Sequence, residues 1–103
     1  MKSSQEMKSD LEDYWEFYLY VAGHTPETIS TLANLKKICE KHFPSHYKIN
    51  IIDLLKKPHL AKEMQIFAIP TTIKKTPSPP LRLIGDFSNA NDIVTKFGIT
   101  END

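Results

Sequence analysis

The sequence predicts a mixed α/β fold built on an N-terminal strand–helix–strand unit. Three observations carry that reading. Trp15-Glu16-Phe17-Tyr18-Leu19-Tyr20-Val21 is a dense run of aromatic and branched residues. It is nearly continuously apolar, which suits a central strand covered on both faces. An apolar series at helical spacing follows it, and a second strand-like run, Tyr47-Lys48-Ile49-Asn50-Ile51-Ile52-Asp53, closes the unit. Two strands separated by a helix of this length pair in parallel through a right-handed crossover.

Each element has local reasons. Ala22-Gly23 ends the first strand. Thr25 is placed to cap a helix, and Pro26 suits the first helical position, where its missing N–H removes no bond. Ile29, Leu32, Leu35, Ile38, Cys39 and His42 or Phe43 then define an apolar stripe. Lys36, Lys37, Glu40 and Lys41 fall on the opposite face, and Pro44 ends the helix. Beyond the second strand the pieces are shorter. Leu54 to Phe67 reads as a short helix or two turns. Thr71-Thr72-Ile73-Lys74 reads as a strand, and Leu81-Arg82-Leu83-Ile84 as its hairpin partner. Between them, Pro77-Ser78-Pro79-Pro80 fits neither helix nor central strand. Ser88 is the expected cap of a last helix through Ile93, Val94 and Phe97, stopped by Gly98. Weak periodicity and prolines leave this C-terminal half open to more than one arrangement.

The 103 residues fit one domain, placed at residues 14–103, after a polar, flexible tail over residues 1–13. Thirteen basic and thirteen acidic residues give a formal net charge of +0. That balance supplies no global attraction to nucleic acid or to an anionic membrane. No stretch has the length and apolarity of a membrane span or a secretory signal. A single cysteine, Cys39, forms no internal disulfide, which points to a reducing, cytoplasmic setting.

The strand-to-helix turn Ala22-Gly23-His24-Thr25-Pro26 and the later Ile69-Pro70-Thr71 resemble a thioredoxin-like frame. A thiol oxidoreductase would place Cys-x-x-Cys at the first turn, and no cysteine is there. Four blocks in order are more specific: Leu19-Tyr20-Val21-Ala22-Gly23-His24-Thr25-Pro26, Ile52-Asp53-Leu54-Leu55-Lys56-Lys57-Pro58-His59-Leu60-Ala61, Ala68-Ile69-Pro70-Thr71 and Ile84-Gly85-Asp86-Phe87-Ser88. Together, over about Tyr18 to Ile93, they resemble the KaiB family of circadian clock proteins. The thioredoxin-like sensor domain of the kinase SasA is a second, related match.

This resemblance implies a thioredoxin-like KaiB fold whose C-terminal half switches between two arrangements. One is βαββααβ and self-associates as dimers or tetramers. The other is a βαβαββα monomer. Two such packings must lie within a few kcal/mol of each other, and high protein concentration favours the self-associated one by mass action. The resemblance also implies a non-enzymatic regulator that binds a KaiC-type ATPase and needs no cofactor. Its partner-binding positions match Lys48, Asn50, Lys74 and Arg82. Gly23, Pro70, Pro77, Pro79, Gly85 and Asp86 match structural or switch positions, and a cis bond is expected at Pro70. Departures cluster on the partner surface. His24 replaces a family Asn, Ser30 an Arg, and Lys48 and Asn50 an Ala and a Lys. The acidic C-terminal tail is reduced to Thr100-Glu101-Asn102-Asp103.

Other chemistry finds little support. Cys39, on the apolar stripe, reads as a buried hydrophobe. His24, His42, His46 and His59 are scattered, and Pro44 breaks the one helical pairing, so no metal site is expected. Gly23, Gly85 and Gly98 are isolated and form no phosphate loop. No catalytic constellation is visible. Two alternatives stand beside the clock-type reading: a thioredoxin-like stress or redox protein, and a stand-alone SasA-like sensor module.

Overall fold

The computed structural model describes residues 14–99. The tail expected over residues 1–13 and the closing residues 100–103 lie outside that range. The elements run β1 (Trp15–Val21), α1 (Pro26–His42), β2 (Tyr47–Asp53), α2 (His59–Glu63), β3 (Thr71–Thr76), β4 (Leu81–Ile84) and α3 (Ala90–Lys96). Of the two arrangements this order is βαβαββα.

One four-stranded sheet, ordered β2-β1-β3-β4, organises the chain. β1 is central, parallel to β2 and antiparallel to β3. Its apolar residues therefore divide between the two faces of the sheet, one well covered and the other, against the expectation of cover on both faces, covered only in part. Phe17 lies on the side of α1 and α3, in a cluster with Leu35, Ile38, Cys39, Phe87, Ile93, Phe97 and Ile99. The other face carries a smaller cluster of Tyr20, Leu54 and Ile66, against which Leu60 and Ala61 of α2 pack. α2 has only five residues, so it covers only part of that face.

The ends of α1 follow the local chemistry. The Thr25 side chain accepts a 3.1 Å hydrogen bond from the Thr28 N–H, with Pro26 at the first position. α3 is capped by Asn89 rather than by Ser88, its Oδ1 accepting from the Asp92 N–H at 3.1 Å. The two residues are adjacent and equally suited by type, so only the chain path chooses between them. Gly98 closes α3 with φ +72°. Its N–H donates to the Thr95 carbonyl, and the Ile99 N–H to the Val94 carbonyl. This is the paired bonding of a left-handed helix stop.

Candidate protein-binding surface

The parallel strands β1 and β2 end at the same rim of the sheet where β3 begins and β4 ends, as the register Tyr20↔Thr71↔Ile84 shows. Pro70 sits buried at this rim, its bond to Ile69 cis as expected. The bonds before Pro77 and Pro79 are cis as well. The Gly85 N–H donates to the Pro70 carbonyl at 2.9 Å. Gly23 has φ +77°, a backbone conformation that favours glycine, and a Cβ there would come within 3.1 Å of Leu55 Cδ1, the tip of an exposed side chain that could shift aside.

A thiol enzyme works at this rim, but here it is apolar and open. Phe67 is 89% exposed, Leu55 70% and Ile84 61%, with Ile69 beside Pro70 also exposed. The only cysteine, Cys39, is buried away from it, and burial, with Glu40 adding to it, pushes its thiol up to about 12. That thiol is not a nucleophile at neutral pH. These exposed apolar groups are spread along one end of the sheet, from Leu55 after β2 to Ile84 at the end of β4. Sequence patterning gives no hint of this. Phe67 belongs to no periodic stripe, and its exposure follows from its place in the loop between α2 and β3.

Asp53 braces the first turn. Its Oδ1 accepts from the Gly23 N–H at 2.9 Å and the Leu55 N–H at 3.0 Å. These two backbone bonds hold its carboxyl below the ordinary value of 3.8, with Lys56 and His24 lowering it further against some desolvation. A folded value below the unfolded one means that ionised Asp53 contributes stability above the unfolded value. That contribution is lost as pH falls through the folded one. Asp53→Asn is therefore expected to lower the urea midpoint at neutral pH. The gap to the parent protein should narrow as pH falls below the ordinary value of 3.8 and the parent carboxyl becomes protonated. A gap that stays constant with pH would show that the charge contributes nothing.

The four expected partner-binding residues do not form one cluster. Lys48 and Asn50 lie on the sheet face that α2 leaves open, opposite Glu16 and Tyr18 in the β1–β2 register. Lys48 is exposed. Asn50 Nδ2 donates to Glu16 Oε2 at 3.1 Å and to the Phe17 carbonyl at 3.2 Å. Tyr18 donates to the same Glu16 oxygen at 3.3 Å. A register shift between Glu16 and Phe17 leaves Lys75 as an extra residue in β3, and its Nζ stands 5.6 Å from the Tyr18 ring centroid. Such a bulge re-aims side chains. Lys74 points the other way. It is 3% exposed, with Nζ 5.2 Å from the Trp15 ring centroid, and desolvation lowers its pKa.

Arg82 shares the α2 face of the sheet and holds backbone. Its two terminal nitrogens donate to the carbonyls of Gln65 at 2.7 Å and Met64 at 2.8 Å. Gln65 has φ +55°, where an ordinary side chain is disfavoured. The forked guanidinium thus ties β4 to the turn after α2. Arg82→Ala is expected to cost about 1 kcal/mol, the low end for bonds to a charged group because the site is exposed. Amide exchange should accelerate most at Gln65 and Ile66, and Arg82→Lys should restore only part of the protection. Unchanged exchange in Arg82→Ala would show that the clamp has no effect.

Among the described residues, no group of three or more His, Cys, Asp or Glu is arranged to hold a metal ion. None of their helices is long and apolar enough to cross a membrane.

Fold and rim define a thioredoxin-like α/β protein that has no cysteine at the thiol position and an apolar rim in its place. Within that class the chain belongs to the KaiB family, whose KaiB domain matches residues 18–97. The circadian clock oscillator protein KaiB of Thermostichus vulcanus is 46% identical over 76 residues, covering 74% of this chain and 70% of the relative. The solution structure of the N-terminal domain of Synechococcus elongatus SasA is similar in fold. It has a TM-score of 0.68 at 18% identity, and the match covers 87% of this chain and 89% of that one. Chloroplastic thioredoxin z shows the same fold with a TM-score of 0.63 at 18% identity, over 95% of this chain and 90% of that one.

Proposed function

We propose that this chain is a non-enzymatic, circadian-clock-type regulator that acts by binding a KaiC-type ATPase. In this reading it converts between a self-associated dimer or tetramer and the βαβαββα monomer, and it works in the cytoplasm. Family membership supports it, since the relatives are named as clock oscillator proteins. The observation that carries it is the rim of exposed Phe67, Leu55 and Ile84 where a thiol enzyme would hold its reactive pair. Apolar surface of this kind supplies most of the driving force for protein association. Lys48 and Asn50 add polar contacts on the adjoining open face. Lys74 and Arg82 serve the site by fixing its elements in this arrangement. Gly23, Pro70 and Gly85 shape the rim, while Asp86 is exposed beside it and Pro77 and Pro79 shape the β3–β4 turn.

The test is incubation with a KaiC-type ATPase from the same organism, followed by native size exclusion over a day. A complex that forms slowly supports binding coupled to a change of arrangement. Light scattering on the protein alone reads the dimer or tetramer. No complex after a day, with the protein folded, overturns the proposal. The redox alternative predicts turnover in an insulin-disulfide reduction assay, which the buried, high-pKa Cys39 argues against. The SasA-like sensor alternative predicts a stable monomer with no slow step.

A further inference from the structure

The apolar stripe of α1 extends one turn further towards its N-terminus than the core beneath it. Leu35, Ile38 and Cys39 are buried, but Ile29 is 60% exposed. Ile51, on the unpaired edge of β2, is 49% exposed. The register Leu19↔Ile51 places it on the α1 side of the sheet. Ile29 and Ile51 line the same cleft, of about 370 Å³, together with Leu32 and Val21. The cleft lies by the carboxyl ends of the parallel strands β1 and β2. That is where open α/β sheets place their ligands. Its volume is at the lower end of the range for small-molecule sites. Phe67, Ile69 and Ile84 do not line it, whereas Gly23 does, so the cleft adjoins the apolar rim at its β2 end without including those three residues.

Charge in the cleft favours an anion. Lys56, Lys57 and His24 line it, against the single carboxylate of Asp53. That carboxylate is already engaged, one oxygen accepting both the Gly23 and the Leu55 N–H. Two lysines against one carboxylate leave an excess positive charge beside an apolar floor. We propose that the cleft binds a small amphipathic monoanion, a carboxylate on a short aliphatic body. The hydrocarbon lies between Ile29 and Ile51, and the carboxylate is held by Lys56 and Lys57. This goes beyond the clock-type reading and does not depend on it.

The test uses octanoate, with octan-1-ol and octylammonium as matched neutral and cationic probes. Amide chemical shifts of the isotopically labelled protein are followed during titration. Octanoate is expected to give saturable shifts centred on Gly23, Thr28, Ile51 and Lys56, with a Kd of about 1 mM. Octan-1-ol should bind more weakly and octylammonium most weakly. Lys56→Gln combined with Lys57→Gln should weaken octanoate about fivefold. Ile51→Ala should weaken all three probes, and dispersed spectra would show that both variants fold. Shifts that do not saturate, that centre on Phe67 and Ile69, or that are equal for the three probes would overturn the proposal. So would perturbation of these amides by a partner protein but not by octanoate.

Discussion

Phe17→Ala is expected to cost about 3–5 kcal/mol, the range for truncating a buried aromatic residue to alanine. Against a whole-domain stability of about 5–15 kcal/mol, this is the most damaging single change proposed. Phe17 is 0% exposed in the centre of the sheet. Its ring lies 6.2 Å from Trp15, 6.4 Å from Phe43 and 5.4 Å from Phe97, the last edge-on. It therefore joins β1 to the end of α1 and to α3. Truncation leaves a cavity that three different elements would have to close, and a tightly packed interior closes only in part. Urea unfolding reads the effect as a lower midpoint with little change in slope. Phe17→Leu should recover a large share of the loss. A midpoint shift corresponding to less than about 1 kcal/mol would mean that the aromatic cluster is not the centre of the core. Phe97→Ala makes a useful companion. If the C-terminal half has a second packing, Phe97 contacts belong to this arrangement alone, whereas Phe17 sits in the βαβ unit common to both. Loss of Phe97 should then raise the oligomeric fraction, and loss of Phe17 should not.

Phe67→Ser is expected to abolish measurable capture of a KaiC-type ATPase while leaving the urea midpoint within about 0.5 kcal/mol of the parent, as for other exposed positions. Phe67 is 89% exposed, so its removal opens no cavity. In a complex, burial of the same ring would contribute about 2 kcal/mol or more, and aromatic anchors dominate interfaces of ordinary size. A loss of about thirtyfold or more in affinity follows from that magnitude. Lys48→Glu on the open face should weaken capture less, because a charge at the edge of an interface acts mainly on the association rate. Both variants are read by day-long incubation and native size exclusion. Full capture by Phe67→Ser would remove the rim from the binding surface. It would leave the family relationship untouched.

The N-terminal half was legible because its signals are local. Trp15–Val21 and Tyr47–Asp53 are long runs of strand-forming residues. Thr25 and Pro26 mark the start of α1, and the 17-residue helix between the strands needs a crossover connection. Gly98 marked the end of α3 just as plainly. The choice between Ser88 and Asn89 as the cap did not reside in residue type, because both side chains accept the same bond. The candidate surface was harder to read. Phe67, Leu55 and Ile84 look like core residues in a hydropathy pattern, and only their placement at loops and at the outer end of β4 exposes them. Ile29 continues an apolar stripe that the core does not reach. Lys74 and Lys75 are adjacent and identical in type. Neighbouring residues of a strand face opposite sides of the sheet, which places Lys74 by Trp15 and Lys75 by Tyr18. Arg82 reads as a free surface cation, yet its fork meets two backbone carbonyls some seventeen residues earlier in the chain.

By itself, then, the sequence determined the βαβ unit, the family blocks and the absence of a cysteine at the first turn. Each of these depends on residue type and short-range spacing. The tertiary structure alone decided which apolar residues are left uncovered, which lysine is buried and which arginine is a clamp. Those outcomes depend on register and on what a five-residue helix can cover, and neither is encoded in any local window of the chain.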